Sequence, residues 1–305
     1  MAIEVAAFAH VNLNCRELSR SRRFYEQALG LTSWVHTNPA PQDCGAFGLD
    51  EPGQWDAWML APAEMGSSGA LDLLEWLRPR PLPAVDPSPG RLGLRALGFD
   101  VRDLAAARAQ VVACGGQVAE AAGPLCAATD PEGAALWLRQ APRTRLAFVE
   151  LSCAELERSL QFFREVLGLE AGTPRRQRLP GACVGRSGEI AWHAASLGIP
   201  GQPDGFRVEL TQWLEPAPHG RPSAEANRQG LFRMALLVSD IERCHAELKG
   251  LGVAQLSAPA LLDLGPACPA PNCRALFFRD PDGACLELIE VPAAPASSPP
   301  PRAPA

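Results

Sequence analysis

Several features that commonly decide a function are missing from this sequence. No apolar run approaches the roughly 18 residues that a bilayer-crossing helix needs, so no membrane association is expected. The opening residues, Met1-Ala-Ile-Glu-Val5, carry neither the basic stretch nor the long apolar stretch of a secretory signal. Positive charge is short: 28 Lys and Arg face 34 Asp and Glu, a net charge of −6. A nucleic-acid partner, which calls for concentrated Lys and Arg, is therefore not expected. Ten cysteines are scattered without one Cys-x-x-Cys pair, which argues against a Cys-based zinc site. Most have apolar neighbours, so reduced thiols in a cytoplasmic protein are expected rather than a disulfide framework. What is present is apolar mass. At 47% apolar, 305 residues can bury a sizeable core, and the length suggests about two domains.

The most informative stretch is 277–290, Phe-Phe-Arg-Asp-Pro-Asp-Gly-Ala-Cys-Leu-Glu-Leu-Ile-Glu. Asp280-Pro281-Asp282-Gly283 is turn chemistry between two β-prone flanks, so a hairpin is expected. Alternation along the outgoing strand puts Cys285, Glu287 and Ile289 on one face. A carboxylate between Cys and Ile on a buried face is costly without a partner, which marks Glu287 as a candidate functional residue.

The same pattern recurs along the chain. Residues 7–14 alternate as a strand, and 16–29 have helical spacing closed by Gly30. Residues 55–61 and 70–77 read as strands, and 78–91, with five prolines, as a linker. A strand at 94–101, a helix at 104–114 and a hairpin around 130–133 follow. The cycle then restarts at 147–151 and again at 232–238. Glu17-Leu-Ser-Arg-Ser…Phe24-Tyr…Leu29-Gly-Leu matches Glu155-Leu-Glu-Arg-Ser…Phe162-Phe…Leu167-Gly-Leu, and the hairpins at 130–133 and 280–283 match each other. The halves are a duplication, each holding two β-α-β units. Residues 292–305, nearly all Pro, Ala and Ser, read as a disordered tail.

With Ser-x-x-Phe-Tyr…Leu-Gly-Leu in the first helix and Asp-Pro-Asp-Gly…Glu-Leu in the last hairpin, the chain resembles the vicinal oxygen chelate superfamily of glyoxalase I, extradiol dioxygenases and bleomycin-resistance proteins. The resemblance implies an α+β fold of four βαβββ modules forming two glyoxalase-like half-barrel domains. Residues 6–141 would form the first (modules 6–78 and 92–140) and 145–291 the second (modules 145–216 and 230–291). In metal-using members, ligands come from the first and last strands of a module. Those positions are His10, Ala96, Phe148 and Arg233, and Asp72, Trp137, Glu209 and Glu287. If neighbouring modules pair, no convincing metal site arises. If the first pairs with the fourth, His10, Asp72 and Glu287 converge beside Arg233 as a three-ligand site for a divalent metal. The other pocket then holds Ala96, Trp137, Phe148 and Glu209.

Three function classes remain open. One is a metal-assisted isomerase, epimerase or lyase moving a proton beside a carbonyl, with Glu287 and Arg233 as catalytic groups. Substrate would be held by Arg233, Trp137, Glu209 and His193. The second is a metal-free protein that sequesters a small molecule. The third, a non-haem iron dioxygenase, lacks the second histidine that such iron sites use. A small-molecule partner and a monomer or homodimer are expected. His36, His219 and His245 suggest loop, linker and helix-surface positions.

Overall fold

The computed structural model describes residues 2–62 and 69–290; the tail expected at 292–305 lies outside the described residues. The first module runs β1 (Ala7–Cys15), α1 (Leu18–Leu29), β2 (Leu31–Thr37), β3 (Gln54–Pro62) and β4 (Ala70–Arg78). The second holds β5 (Gly93–Val101), α2 (Leu104–Ala113), β6 (Gln117–Val118), β7 (Leu125–Thr129) and β8 (Ala135–Gln140). In the third are β9 (Arg145–Ser152), α3 (Leu156–Glu165), β10 (Glu170–Ala171), β11 (Arg175–Pro180), β12 (Glu189–Gly198) and β13 (Arg207–Glu215). The fourth closes with β14 (Gly230–Val238), α4 (Ile241–Gly250), β15 (Ala260–Asp263), β16 (Asn272–Arg279) and β17 (Cys285–Glu290).

Local chemistry explains the elements. In α1 the buried residues Leu18, Ser21, Phe24, Tyr25, Ala28 and Leu29 recur at helical spacing. Gly30 ends it at φ 68°, its N–H bonded to the Tyr25 carbonyl, a conformation open to glycine at little cost. In both Asp-Pro-x-Gly turns the first aspartate holds the loop closed: Asp280 Oδ1 accepts from the N–H groups of Asp282 and Ala284 at 3.0 and 2.7 Å. Asp130 Oδ1 does the same for Glu132 and Ala134 at 2.9 and 2.8 Å.

Two mixed sheets result. One runs β15-β16-β17-β14-β1-β4-β3-β2, the other β10-β12-β13-β9-β5-β8-β7-β6, with β11 also paired to β12. The first module thus shares a barrel with the fourth, and the second with the third. Within each module the first and last strands are parallel. The modules join across antiparallel seams, β1 with β14 and β5 with β9. The sequence halves 6–141 and 145–291 are repeat units, but each barrel draws one module from each half. Only residues 141–144 separate β8 from β9, so this short connection holds the third module against the second. The edges of β1 and β14 are left for each other.

Apolar residues of all four helices pack with one face of both sheets into a single core that includes Phe24, Val111, Phe163 and Leu248. Two smaller clusters line the barrel interiors, one around Phe47, Trp55 and Phe277 and one around Trp137, Trp192 and Trp213. Module neighbours in sequence are tied at helix ends. Glu132 accepts from the N–H groups of Arg16 and Glu17 at 2.6 and 3.0 Å, ahead of α1. Asp282 accepts from Ala154 N–H at 3.0 Å, ahead of α3, and pairs with Arg158.

Candidate functional site

Alternation in β17 sends Leu286 and Leu288 into the main core and Cys285 and Glu287 into the first barrel. Four adjacent strands, β17, β14, β1 and β4, bring the site together. Ala235 of β14 lies in register with both Glu287 and His10. Its small side chain leaves room for these two to meet above it. His10 Nε2 is 3.5 Å from Glu287 Oε2 and 3.9 Å from Asp72 Oδ2. Arg233 bridges the carboxylates, donating from Nε to Glu287 at 2.6 Å and from Nη2 to Asp72 at 3.0 Å. Asn12 adds a bond from Nδ2 to Asp72 Oδ2 at 3.1 Å.

All five side chains are buried. Burial favours the neutral forms, yet the ion pairs win: the Glu287 carboxyl is held below the usual range by Arg233 and His10, and Arg233 is held above its own by Glu287 and Asp72. Three nitrogens in the cluster have no hydrogen-bond partner among the described residues, namely both ring nitrogens of His10 and Arg233 Nη1. His10, Arg233, Asp72 and Glu287 line a cavity of about 520 Å³ whose wall is otherwise mainly apolar, including Phe47, Trp55 and Leu74. Cys273 also lines it, but burial, with Glu287 beside it, pushes its thiol up to about 12, so it is no ready nucleophile.

The second barrel repeats this geometry with different chemistry. Phe148 occupies the place of His10, Gly98 that of Ala235, Trp137 that of Glu287 and Glu209 that of Asp72. The Phe148 ring lies so close over Gly98 that a Cβ there would sit 2.2 Å from it. A buried ion pair missed in the sequence reading, Arg95 with Glu150, stands at its centre. Arg95 Nε donates to Glu150 Oε1 at 2.6 Å and Nη2 bonds Oε2. The indole N–H groups of Trp137 and Trp213 reach the same carboxylate at 2.6 and 3.1 Å.

Sequence-proposed residues therefore divide between two barrels. His10, Asp72, Glu287 and Arg233 meet in the first. Trp137 and Glu209 line the second cavity, with Glu209 paired to Arg175 at 2.7 Å. His193 lines neither cavity: Trp192 and Ala194 face the second one, so strand alternation turns His193 to the other side. His36, expected in a loop, lies in β2, stacked on Trp58 at 4.5 Å and bonded to Asp56 at 2.5 Å.

The chain matches the Glyoxalase/Bleomycin resistance protein/Dioxygenase superfamily over residues 7–137 and 145–288. It belongs to that superfamily. Among solved structures, glyoxalase I from Zea mays is 19% identical with a TM-score of 0.66, covering 93% of this chain and 92% of that one. A proposed dioxygenase from Bacillus subtilis is 13% identical with a TM-score of 0.56, covering 96% and 87%. Both similarities are similarities of fold. No curated protein matches the chain significantly.

A divalent metal is the group that superfamily resemblance implies, and the donor set can be tested against it. His10, Asp72 and Glu287 come together, but Arg233 lies between the carboxylates and takes Asp72 Oδ2 and Glu287 Oε2, the oxygens nearest His10. A guanidinium keeps its charge, offers no lone pair and repels a second cation. Among the described residues no group of three or more His, Cys, Asp or Glu is arranged to hold a metal ion. The residues do not fit the metal; the arginine supplies the positive charge instead. No helix of the described residues is long and apolar enough to cross a membrane.

Proposed function

We propose that the first barrel binds a neutral, largely apolar small molecule through a carbonyl or hydroxyl oxygen, without a metal. The observation that carries this reading is the pair of unpartnered nitrogens, His10 Nδ1 and Arg233 Nη1, in a cluster that lines an otherwise mainly apolar cavity. Unpartnered buried polar atoms cost free energy; a ligand oxygen would accept from Arg233 Nη1, and a ligand hydroxyl could donate to His10 Nδ1. The cavity lining sets Asp72, Glu287 and Glu290 against Arg233 and His10, a negative balance whether or not His10 carries a proton, which disfavours an anionic ligand. Trp34, half exposed, stands at the cavity wall as an aromatic contact for an entering molecule.

A second reading, proton transfer next to the bound carbonyl, is favoured by His10 Nε2 lying 3.5 Å from Glu287 Oε2. There His10 would take the proton, Glu287 would orient the imidazole and stabilise its charged form, and Arg233 Nη1 would stabilise the developing enolate. Calorimetry with the chelator-treated protein and a panel of aryl ketones, alcohols and the matching carboxylates tests the binding reading. Neutral members are expected to bind and to weaken about tenfold or more in His10→Ala. Stoichiometric metal required for that binding would overturn it. Exchange of ligand α-protons with deuterium oxide, lost in His10→Ala, separates the catalytic reading from simple binding.

A further inference from the structure

The second barrel has a cavity of about 530 Å³ floored by Trp137, Trp192, Trp213 and Phe148. Two features distinguish it from an ordinary aromatic core. First, its indoles are fixed from behind. Arg95 lies over the Trp137 and Trp213 rings at 5.4 and 5.3 Å without lining the cavity, and Glu150 holds both indole N–H groups. Trp213 is sealed against Trp192 at 5.4 Å, so the part of this fixed aromatic floor that reaches the cavity is a small, preorganised patch of Trp137, Trp192 and Phe148. Second, the electrostatics are reversed relative to the first barrel. Arg139, Arg175, Arg176 and Arg178 line this cavity. Counting the lining alone, four arginines (139, 175, 176, 178) face two carboxylates (Glu150, Glu209), a local charge of +2 in a chain of −6.

We propose that the second barrel is a separate binding site for a planar aromatic anion, its ring stacked on the indole floor and its carboxylate taken by Arg139 and Arg175. These two arginines come from different modules, on β8 and β11. Arg139 is steadied by Asp100 at 2.7 Å and by the Phe148 ring at 5.2 Å. Arg175 is paired to Glu209. Both are over two-fifths exposed, so their present ion pairs are weak enough to be shared with an incoming carboxylate. The first barrel, with its net negative cluster, does not offer this field.

The test is titration of the full chain with naphthalene-2-carboxylate, followed by calorimetry and tryptophan fluorescence, with naphthalene-2-carboxamide as the neutral counterpart. One carboxylate is expected per chain, with the amide at least about tenfold weaker. Arg139→Gln and Arg175→Gln should each weaken the carboxylate about tenfold. Leu179→Trp, which fills the cavity while keeping every charge, should abolish binding, and His10→Ala in the other barrel should leave it unchanged. Equal binding of the amide that Leu179→Trp also abolishes, or unchanged affinity in both arginine variants whose circular dichroism matches the parent, would overturn the proposal. Loss on His10→Ala would assign the binding to the first barrel instead.

Discussion

Arg233 is one residue on which two others depend. It is the cation bonded to the buried carboxylates Asp72 and Glu287. Replacing it with methionine would leave both charges unpaired, and removing one partner of a buried ion pair costs about 3–5 kcal/mol. Urea denaturation of Arg233→Met should show that loss, and the triple variant with Asp72→Asn and Glu287→Gln should recover much of it. A cost below about 1 kcal/mol would mean that water reaches the cluster. Alternation and turn chemistry made Glu287 visible in the sequence, and family position added His10, Asp72 and Arg233. Arg95 was hidden because a register shift between Leu94 and Ala96 breaks the two-residue period, so the ligand position beside it reads as alanine. Glu150 was findable: it lies two residues beyond Phe148 on the same strand face, and both line the cavity.

Among elements, the two Asp-Pro-x-Gly hairpins do more than reverse the chain. Burial pushes Asp130 and Asp280 up to about 6, against the opposing pull of the backbone N–H groups they accept. Each therefore binds its proton more tightly in the folded state than unfolded. The stability this confers is present at acid pH and is lost as pH rises through about 6. Asp280→Asn, which cannot ionise, should lose less melting temperature than the parent between pH 4.5 and 7. The same hairpins cap foreign helices through Glu132 and Asp282. Asp282→Ala should cost about 1 kcal/mol, the usual worth of a helix N-terminal cap, read as a shift in the urea midpoint. Most strands and all four helices were legible from period and punctuation. β2, β6, β10, β11 and β15 were not: Leu31–Thr37 reads as the loop after a helix, the arginines of Arg175–Pro180 hide an edge strand whose exposure lets it carry charge, and the other three span only two to four residues, too short to show a period.

At the scale of the whole molecule, the repeat was legible and the pairing was not, because either pairing of four similar modules satisfies the same sequence pattern. The decision lies in edge contacts and in the four-residue step 141–144, neither of which leaves a periodic trace. The nested arrangement, fourth on first around second on third, has a consequence for how the chain could be rewired. Ala7 of β1 and Ile289 of β17 both face Leu237 of β14, so they flank a single strand and stand about 10 Å apart. A short bridge from 290 to 7, with new ends opened in the proline-rich segment between β4 and β5, would give the order two, three, four, one. Each barrel would then be written by one uninterrupted stretch of chain. Such a circular permutant should fold with both cavities intact, shown by unchanged far- and near-ultraviolet circular dichroism. One cut would then place the two barrels, still held together by the core they share, on separate fragments, which the natural order of modules forbids.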